Sequence, residues 1–564
     1  MAKKYIILIL MLAIALSGCI SSINPKSPEV QNASINSLIF TRTGIIVGLS
    51  DNIEIESAEI YDNNIKISEV NINRETNSVV IDFDWSPKKK YEIKIKSANG
   101  NFSESVYAPS KPSYFELWNA PLGSLENKPK IERWSKVVYE DLEFSPNSKY
   151  IAIAGYDHII RVFDLNGKEG GLLWTYKIRD GYGKSIAFSQ DSKYLLVGEA
   201  SVDGYLYCFK VSNGNLKWKY RIADDVGTQV TTSPFYLPTA GDIKTVNDLA
   251  YVTGYFSEKN KITKGIIYAF NITTGELVWR YPKNELMDTK AAKIFTSENG
   301  EYVVFATMSF KYNHSKEKYK DGTLFVLNGK NGELLWNYTF PPNNYLYFVG
   351  IWDGIDVSKN GKYIAITTAD GRSFLIDNIK SIKNKKIAII WQKNISTPIE
   401  VSGIPIYGYG GMTRVTDNGS VIIQISKTYV TPSGKTKAKT PPINHPKSNS
   451  IYEFDSNGNL VWKWTAEGGI DTPSLSKNGK YLIVPIIHDY ITQKKDTAGV
   501  YVFDLEQKGG ATSKLSIHYL TEGIPVAVDL SQDGKYIAFI EAPIDIDISE
   551  KEKIIGKHQL HLLI

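Results

Sequence analysis

A short segment recurs along this chain: a Gly turn, a few residues, then Trp. It reads Thr274-Gly275-Glu276-Leu277-Val278-Trp279 and Asn331-Gly332-Glu333-Leu334-Leu335-Trp336. It reads again as Asn213-Gly214-Asn215-Leu216-Lys217-Trp218 and Asn457-Gly458-Asn459-Leu460-Val461-Trp462, with looser versions ending at Trp174 and Trp391. A second turn alternates with it, opening on Ser and closing on Tyr: 145–150, 189–194, 297–302, 358–363, 476–481 and 531–536. Asp or Asn beside Gly or Ser makes the tight reversal between two strands. Side chains two apart on a strand share a face. Trp174 with Tyr176, Trp218 with Tyr220, Trp279 with Tyr281, Trp336 with Tyr338 and Trp462 with Trp464 therefore give each last strand a broad aromatic face. At about 25 cal/mol per Å² and roughly 150–250 Å² per ring, covering such a face is worth several kcal/mol. A lone four-stranded sheet has nothing to cover it with, so successive sheets must stack and close on themselves. An aromatic content of 12%, with 35 Tyr, suits many half-buried strands.

The strand, turn and Trp strand resemble the tryptophan motif of PQQ-type (quinoprotein-like) β-propellers, over about residues 131–564. The expected fold is all-β: an eight-bladed β-propeller, with seven blades as the alternative count, preceded by a small β-sandwich. Its structural repeat residues are Trp134, Trp174, Trp218, Trp279, Trp336, Trp391 and Trp462. The last repeat runs out before a fourth strand, whereas residues 131–138, containing Trp134, form a Trp strand without a blade. That segment is expected to complete the last blade, lacing the two ends together and removing a free sheet edge.

At the N-terminus, Lys3 and Lys4 precede an apolar run from Tyr5 to Leu16, followed by Leu16-Ser17-Gly18-Cys19. The run is too short to span a bilayer and has the form of a signal-peptide core. Its ending resembles the lipobox of prokaryotic lipoproteins. That resemblance implies a signal peptide over 1–18, lipidation at Cys19 and an extracytoplasmic chain anchored to the outer face of the cell membrane, an uncleaved helix being the alternative. Residues 19–30 read as a tether. Residues 31–109 read as a sandwich of short strands, in which Tyr91 to Gly100 resembles a late strand of fibronectin type III and other immunoglobulin-like modules. Residues 110–130, with Pro112, Pro121 and Pro129, read as a linker. The Lys, Ile, Asn and Tyr bias resembles that of low-GC archaea.

A net charge of +5, falling to +3 once Lys3 and Lys4 leave with the signal peptide (5 − 2), gives no reason to expect a nucleic-acid partner. Two cysteines, Cys19 and Cys208, make no disulfide framework, and Cys208 reads as a small buried hydrophobe. There are no adjacent cysteines, no Gly-x-Ser-x-Gly elbow and no His-Glu-x-x-His pair. His558 and His561, three apart, face opposite sides of a strand. The reading leans away from an enzyme, assigns no catalytic or metal-binding residue and expects no cofactor. PQQ and Ca²⁺ enter only under the alternative of a quinoprotein dehydrogenase.

The resemblance to non-catalytic propeller lipoproteins implies a binding or scaffold protein for envelope or surface proteins or glycans, with solute capture as a further alternative. The long loops of one propeller face are where binding is expected. Candidate ligand-binding residues are Tyr345, Tyr347, Trp352 and Asp353 in one loop, Tyr407 and Tyr409 in another, and Asp471. A carboxylate stands near the start of each inner strand: Asp141, Asp180, Asp225, Asp288, Asp353, Glu400, Asp471 and Glu522. These either converge on a channel mouth or bond turn amides. The Lys-rich loop 425–449 is a further candidate contact for anionic envelope polymers.

Overall fold

The computed structural model describes residues 34–41, 43–98, 100–110, 113, 116–122, 139–165, 171–179, 181–229, 236–257, 263–308, 319–341, 350–430, 441–487, 498–548 and 551–564. Cys19 and the signal segment, Trp134, Asp180, Tyr345 and Tyr347 lie outside these residues. The chain divides into two compact units, Met1–Ser110 and Lys111–Ile564.

In the first unit, five strands hydrogen-bond into one sheet. The strand Gly44–Asp62 pairs with Ile35–Phe40 along its first half and with Lys90–Ser97 along its second. Ile65–Asp82 follows it along both halves. Register breaks between Gly48 and Ile53 and between Ile55 and Ser57 separate the two halves. Apolar side chains of both, among them Ile45, Val47, Ile55, Ile60, Ile81, Ile93 and Ile95, share one core with Phe40, Phe83 and Tyr91. The alternation Tyr91-x-Ile93-x-Ile95 puts every second residue of its strand inside.

The second unit is a series of antiparallel four-stranded sets, eight among the described residues. The first runs Tyr139–Phe144, Tyr150–Gly155, Ile159–Asp164, Leu172–Lys177. The second and third, starting at Tyr182 and Thr239, are joined by a single pairing between Ala200 and Thr239. Sets starting at Lys290, Ile355 and Ile404 follow, then one whose inner edge is the short pieces Gly469–Ile470 and Ser474–Leu475. The last comprises Ile524–Leu530, Ile537–Ala542, Gln559–Leu563 and Glu116–Pro121. First strands of successive sets lie against one another from the first set to the sixth and from the seventh to the eighth, Gly469–Ile470 lies against Val421–Val430 of the sixth, and Ile524–Leu530 returns against Tyr139–Phe144, so the series closes. The unit is a β-propeller.

The closing strand corrects one expectation. Glu116–Pro121, read as linker, completes the last sheet, with Leu562 opposite Trp118. It is itself a Trp strand, Glu-Leu-Trp-Asn-Ala-Pro. Pro121, which has no N–H to donate, stands at its end. The ends are laced together by this segment, and residues 131–138, expected in that place, lie outside the described residues.

The repeat motif has a visible cause. Trp174 Nε1 donates to Val211 O (2.7 Å), Trp218 to Ile272 O (2.8 Å) and Trp279 to Gly329 O (2.8 Å), each in the following set. The turn Gly of that following set lies on the same ring. A Cβ on Gly214 would sit 2.7 Å from Trp174, and one on Gly275 would sit 2.7 Å from Trp218. These glycines also have φ of +70° and +78°, a region that favours Gly. Where the helix Asn378–Asn384 replaces the turn, Trp336 Nε1 donates instead to Asn378 Oδ1 (3.0 Å). Trp279, Trp336, Trp391 and Trp462 are buried, while Trp174 and Trp218 are half-buried.

Candidate functional site: the central channel

The inner strands leave a cavity of about 500 Å³ at the centre of the ring. Its walls are unusually charged: Asp141, Glu143, Lys184, Asp242, Lys244, Lys293, Asp353, Arg414, Asp471, Lys477 and Asp529 all line it. Their placement follows from strand period. Glu143, Arg414, Ser474 and Asp529 each stand two residues before a turn Ser or Thr (Ser145, Thr416, Ser476, Ser531), and Asp141, Lys293 and Thr472 stand four before theirs. Positions two apart share a face, so both layers look inward.

Three of these acids, together with Asp356, fasten one inner strand to the next. Asp529 Oδ2 accepts from Phe144 N, Asp141 Oδ2 from Ile186 N, Asp242 Oδ2 from Ile294 N and Asp356 Oδ2 from Val415 N, each at 2.9 Å. Asp529 Oδ1 also accepts from Ser474 Oγ (3.0 Å), which ties three successive sets together. A carboxylate bonded to a backbone amide across a sheet-to-sheet seam supplies the partner that neither strand's own ladder provides.

Charge is distributed unevenly around the wall. Lys293 Nζ lies 3.2 Å from Asp242 Oδ1, and Arg414 grips Asp353 through both terminal nitrogens at 3.1 and 3.4 Å. The Arg414 guanidinium also lies over Phe295, 4.9 Å from the ring centre. Here desolvation is outweighed by Lys293 and Lys244, and Asp242 is held below the ordinary carboxylate range. On the arc of Asp141, Glu143 and Asp529 the balance reverses. Burial pushes Asp141 up to about 6 and Glu143 up to about 8, and raises Asp529 as well. Asp356 is likewise raised by burial, to about 6. Asp242 and Asp353 thus sit beside cations, whereas Glu143, raised to about 8, retains its proton at neutrality.

At one end of the channel, Trp352 and Tyr255 contribute to the wall. The buried Lys290 ammonium lies 4.1 Å from the Tyr255 ring centre and 5.6 Å from that of Trp352. Burial pulls this amine down to about 7.

Of the residues singled out from sequence, Trp352, Asp353, Asp471 and Asp141 come together on this cavity. Asp353 and Asp141 are already engaged, by Arg414 and by Ile186 N. Tyr407 and Tyr409 do not join them. They lie within the strand Ile404–Val415, not in a loop between sheets, and pack on Tyr429 with ring centres 6.0 and 5.5 Å away. The run Ile404-Pro405-Ile406-Tyr407 extends pairing along Val421–Val430, and the register breaks occur at Gly408 and Gly410. Asp225 accepts from Tyr220 and Tyr268 hydroxyls and pairs with Arg280, away from the cavity lining. Asp288 is half-buried, and Glu400 and Glu522 are exposed. Sequence reasoning missed Glu143, Asp242, Lys244, Lys293, Asp356, Arg414 and Asp529. For most of them the signal was a fixed offset from the turn Ser.

No group of three or more His, Cys, Asp or Glu suited to a metal occurs among the described residues. Cys208 is wholly buried on the third strand of its sheet, its thiol pushed up to about 12 by burial, and the rings of Trp174, Trp218, Trp279 and Trp336 lie against the following set.

A closed ring of four-stranded sheets around a charged axial channel defines the class as a β-propeller, and its Trp repeat resembles that of the PQQ type. The profile of the family described as outer membrane protein assembly factor BamB matches residues 157–346, and that of the WD domain, G-beta repeat, matches 135–164. Similar solved structures include BamB from Moraxella catarrhalis, 12% identical with a TM-score of 0.45, covering 80% of this chain and 99% of that one. The Cps50 (Swd1) β-propeller domain from Myceliophteria thermophila is 10% identical with a TM-score of 0.39, covering 79% of this chain and 99% of that one. No curated protein matches.

Proposed function

We propose that this chain is an extracytoplasmic binding and scaffold protein, lipid-anchored at Cys19, whose eight-bladed propeller engages an envelope or surface protein at the channel end marked by Trp352. One observation carries the reading. A rigid, self-closed ring presents at that end a half-buried Trp352 beside the fixed Asp353–Arg414 pair, an aromatic anchor next to an oriented charge. Aromatic residues and Arg of this kind supply much of the binding energy in protein interfaces. The match of 157–346 to a family described by its part in outer membrane protein assembly supports the same direction. So does the Leu16-Ser17-Gly18-Cys19 signal. The immunoglobulin-like reading of the first unit belongs to this proposal.

Pull-down from a detergent extract of the cell envelope tests it. The mature chain should retain a discrete partner that Trp352→Ala loses, with both proteins equally folded by circular dichroism. Equal capture by both would refute the assignment of the site. Cys19→Ser should move the protein from the membrane to the soluble fraction, and continued membrane association would sink the anchor.

A second reading, solute capture, is favoured by the cavity volume, which lies in the range of small-molecule sites. It requires that a charged small molecule raise the melting temperature of the isolated protein.

A further inference from the structure

The closing sheet contains a histidine held between two carboxylates, and each of the three residues comes from a different strand. His561 lies on Gln559–Leu563, opposite Phe539 on one side and Asn119 on the other. Glu541 stands opposite Gln559, and Glu116 stands opposite Leu563. Residues 559, 561 and 563 share a face, so Glu541, His561 and Glu116 form a diagonal across three strands. His561 Nδ1 lies 2.6 Å from Glu116 Oε1 in a hydrogen bond, and His561 Nε2 lies 3.3 Å from Glu541 Oε2 in an ion-pair contact without hydrogen-bond geometry. Glu541 is anchored in turn, its Oε1 accepting from Gly523 N at 2.6 Å. His561 and Glu541 are 4% and 6% exposed. The Phe539 ring stacks on the imidazole at 4.5 Å, and Tyr519 of the preceding sheet lies 5.9 Å from it. Among the described residues, Glu116, Glu541 and Tyr519 are the titratable groups that face His561.

A neutral imidazole has one N–H, and its second nitrogen is an acceptor. Set between two carboxylates, that acceptor would meet a carboxylate lone pair in a buried site. The imidazolium donates from Nδ1 to Glu116 and sets its positive charge against Glu541. Glu116 is the one member supplied by the strand that closes the ring from the N-terminal side. We propose that protonated His561 is a latch fastening Glu116–Pro121 to the last sheet, so that loss of its proton releases this strand and uncovers the Gln559–Leu563 edge.

The charge balance supports this. Burial disfavours the imidazolium, but the bonds and charges of Glu116 and Glu541 outweigh it, and the histidine is raised above its ordinary 6.5. A group raised on folding contributes fully below its unfolded value, and that contribution is lost as pH rises through the folded value. The latch is therefore closed in mild acid and opens on the alkaline side of 6.5. Each unit by which the folded value exceeds 6.5 changes the closing equilibrium tenfold.

Amide hydrogen exchange of the full mature chain, corrected for intrinsic rates, tests the latch. Protection of the 117–120 amides should fall about tenfold or more between pH 6 and pH 9, while protection of the inner strand 524–530 falls less. His561→Gln, which cannot take a proton, should abolish the differential, and Glu116→Gln should reduce it. A 117–120 protection ratio that is the same at both pH values in the wild type would overturn the proposal. So would a pH dependence of equal size in His561→Gln. Should His561→Gln fail to fold, the NMR titration of the wild-type imidazole decides, a value at or below 6.5 overturning the latch.

Discussion

The Gly-x-x-x-Trp motif is two residues from different sheets in contact. Gly275 is flat against Trp218 of the set before it, while Trp279, four residues on, reaches forward to Gly329 O. Each copy of the motif therefore closes one seam and opens the next, which is why both residue types recur together. The Trp residues are not equivalent, however. Trp279 Nε1 has its carbonyl partner, whereas Trp391 Nε1 is buried without one among the described residues. Both are 8% exposed, so their ring burial is comparable. A net hydrogen bond is worth about 1 kcal/mol, and leaving a buried N–H unpaired has a similar cost. Trp279→Phe is therefore expected to destabilise the protein by about 1–2 kcal/mol more than Trp391→Phe. Urea denaturation of the two variants at constant m-value measures the difference, and equal losses would refute the hydrogen-bond account. The aromatic rib itself was readable from sequence, because a two-residue period needs no tertiary knowledge. The missing partner of Trp391 was not, because it depends on what the next sheet places opposite.

At the scale of the element, the inner strands differ from the others in carrying charge where a core strand would carry Val or Ile. The sequence set a carboxylate near the start of each inner strand, and of these Asp141 is one that acts. In the structure the acids that act lie on the strands themselves, counted back from the turn Ser, and their first task is to bond the amide of the next inner strand. The other acting acids were not singled out because the start of an inner strand has no local marker, whereas its end has the Ser-to-Tyr turn. Glu143 is the exposed weakness of this arrangement. It faces the channel with Asp141 and Asp529 nearby, and burial raises it to about 8 despite Lys477 and Lys244. The folded state thus holds a proton that the unfolded chain gives up near its ordinary value of about 4.3. The stability tied to this group is complete below that value and is lost as pH rises toward 8. Glu143→Gln keeps the shape and removes the ionisation. It should leave the urea midpoint nearly unchanged at pH 5 and raise it at pH 8.5, flattening the wild-type decline. A variant whose midpoint tracks the wild type across that range would show that channel water already solvates the carboxylate. This dependence and the His561 latch both weaken the protein as pH rises, but only the latch acts selectively on residues 116–121.

The whole ring rests on how it is closed, and here the sequence was informative in logic and wrong in place. A final repeat without a fourth strand demands one from elsewhere, since an open Gln559–Leu563 edge would present unpaired backbone groups to any other strand. The segment that answers is Glu116–Pro121, six residues that precede the first repeat and were hidden among prolines. A Trp strand could be recognised at 118 as well as at 134, and only pairing with Leu562 separates them. The placement has a consequence for how the chain can be divided. Residues 111–564 hold every strand of the ring, whereas a chain starting at 123 lacks the fourth strand of the last sheet while keeping all the Trp motifs of the repeats. If ring closure is what lets each sheet cover its neighbour, the two truncations should differ far more than twelve residues would suggest. The 111–564 chain should unfold in one cooperative urea transition and elute as a monomer. The 123–564 chain should unfold at a markedly lower midpoint and form soluble oligomers or aggregate through the bare edge. Adding a synthetic peptide of residues 113–122 should restore part of the lost midpoint by mass action, because it binds only the folded form. Identical midpoints and elution for the two chains would mean that the sheets hold together without the lace, and that the aromatic seams alone are sufficient.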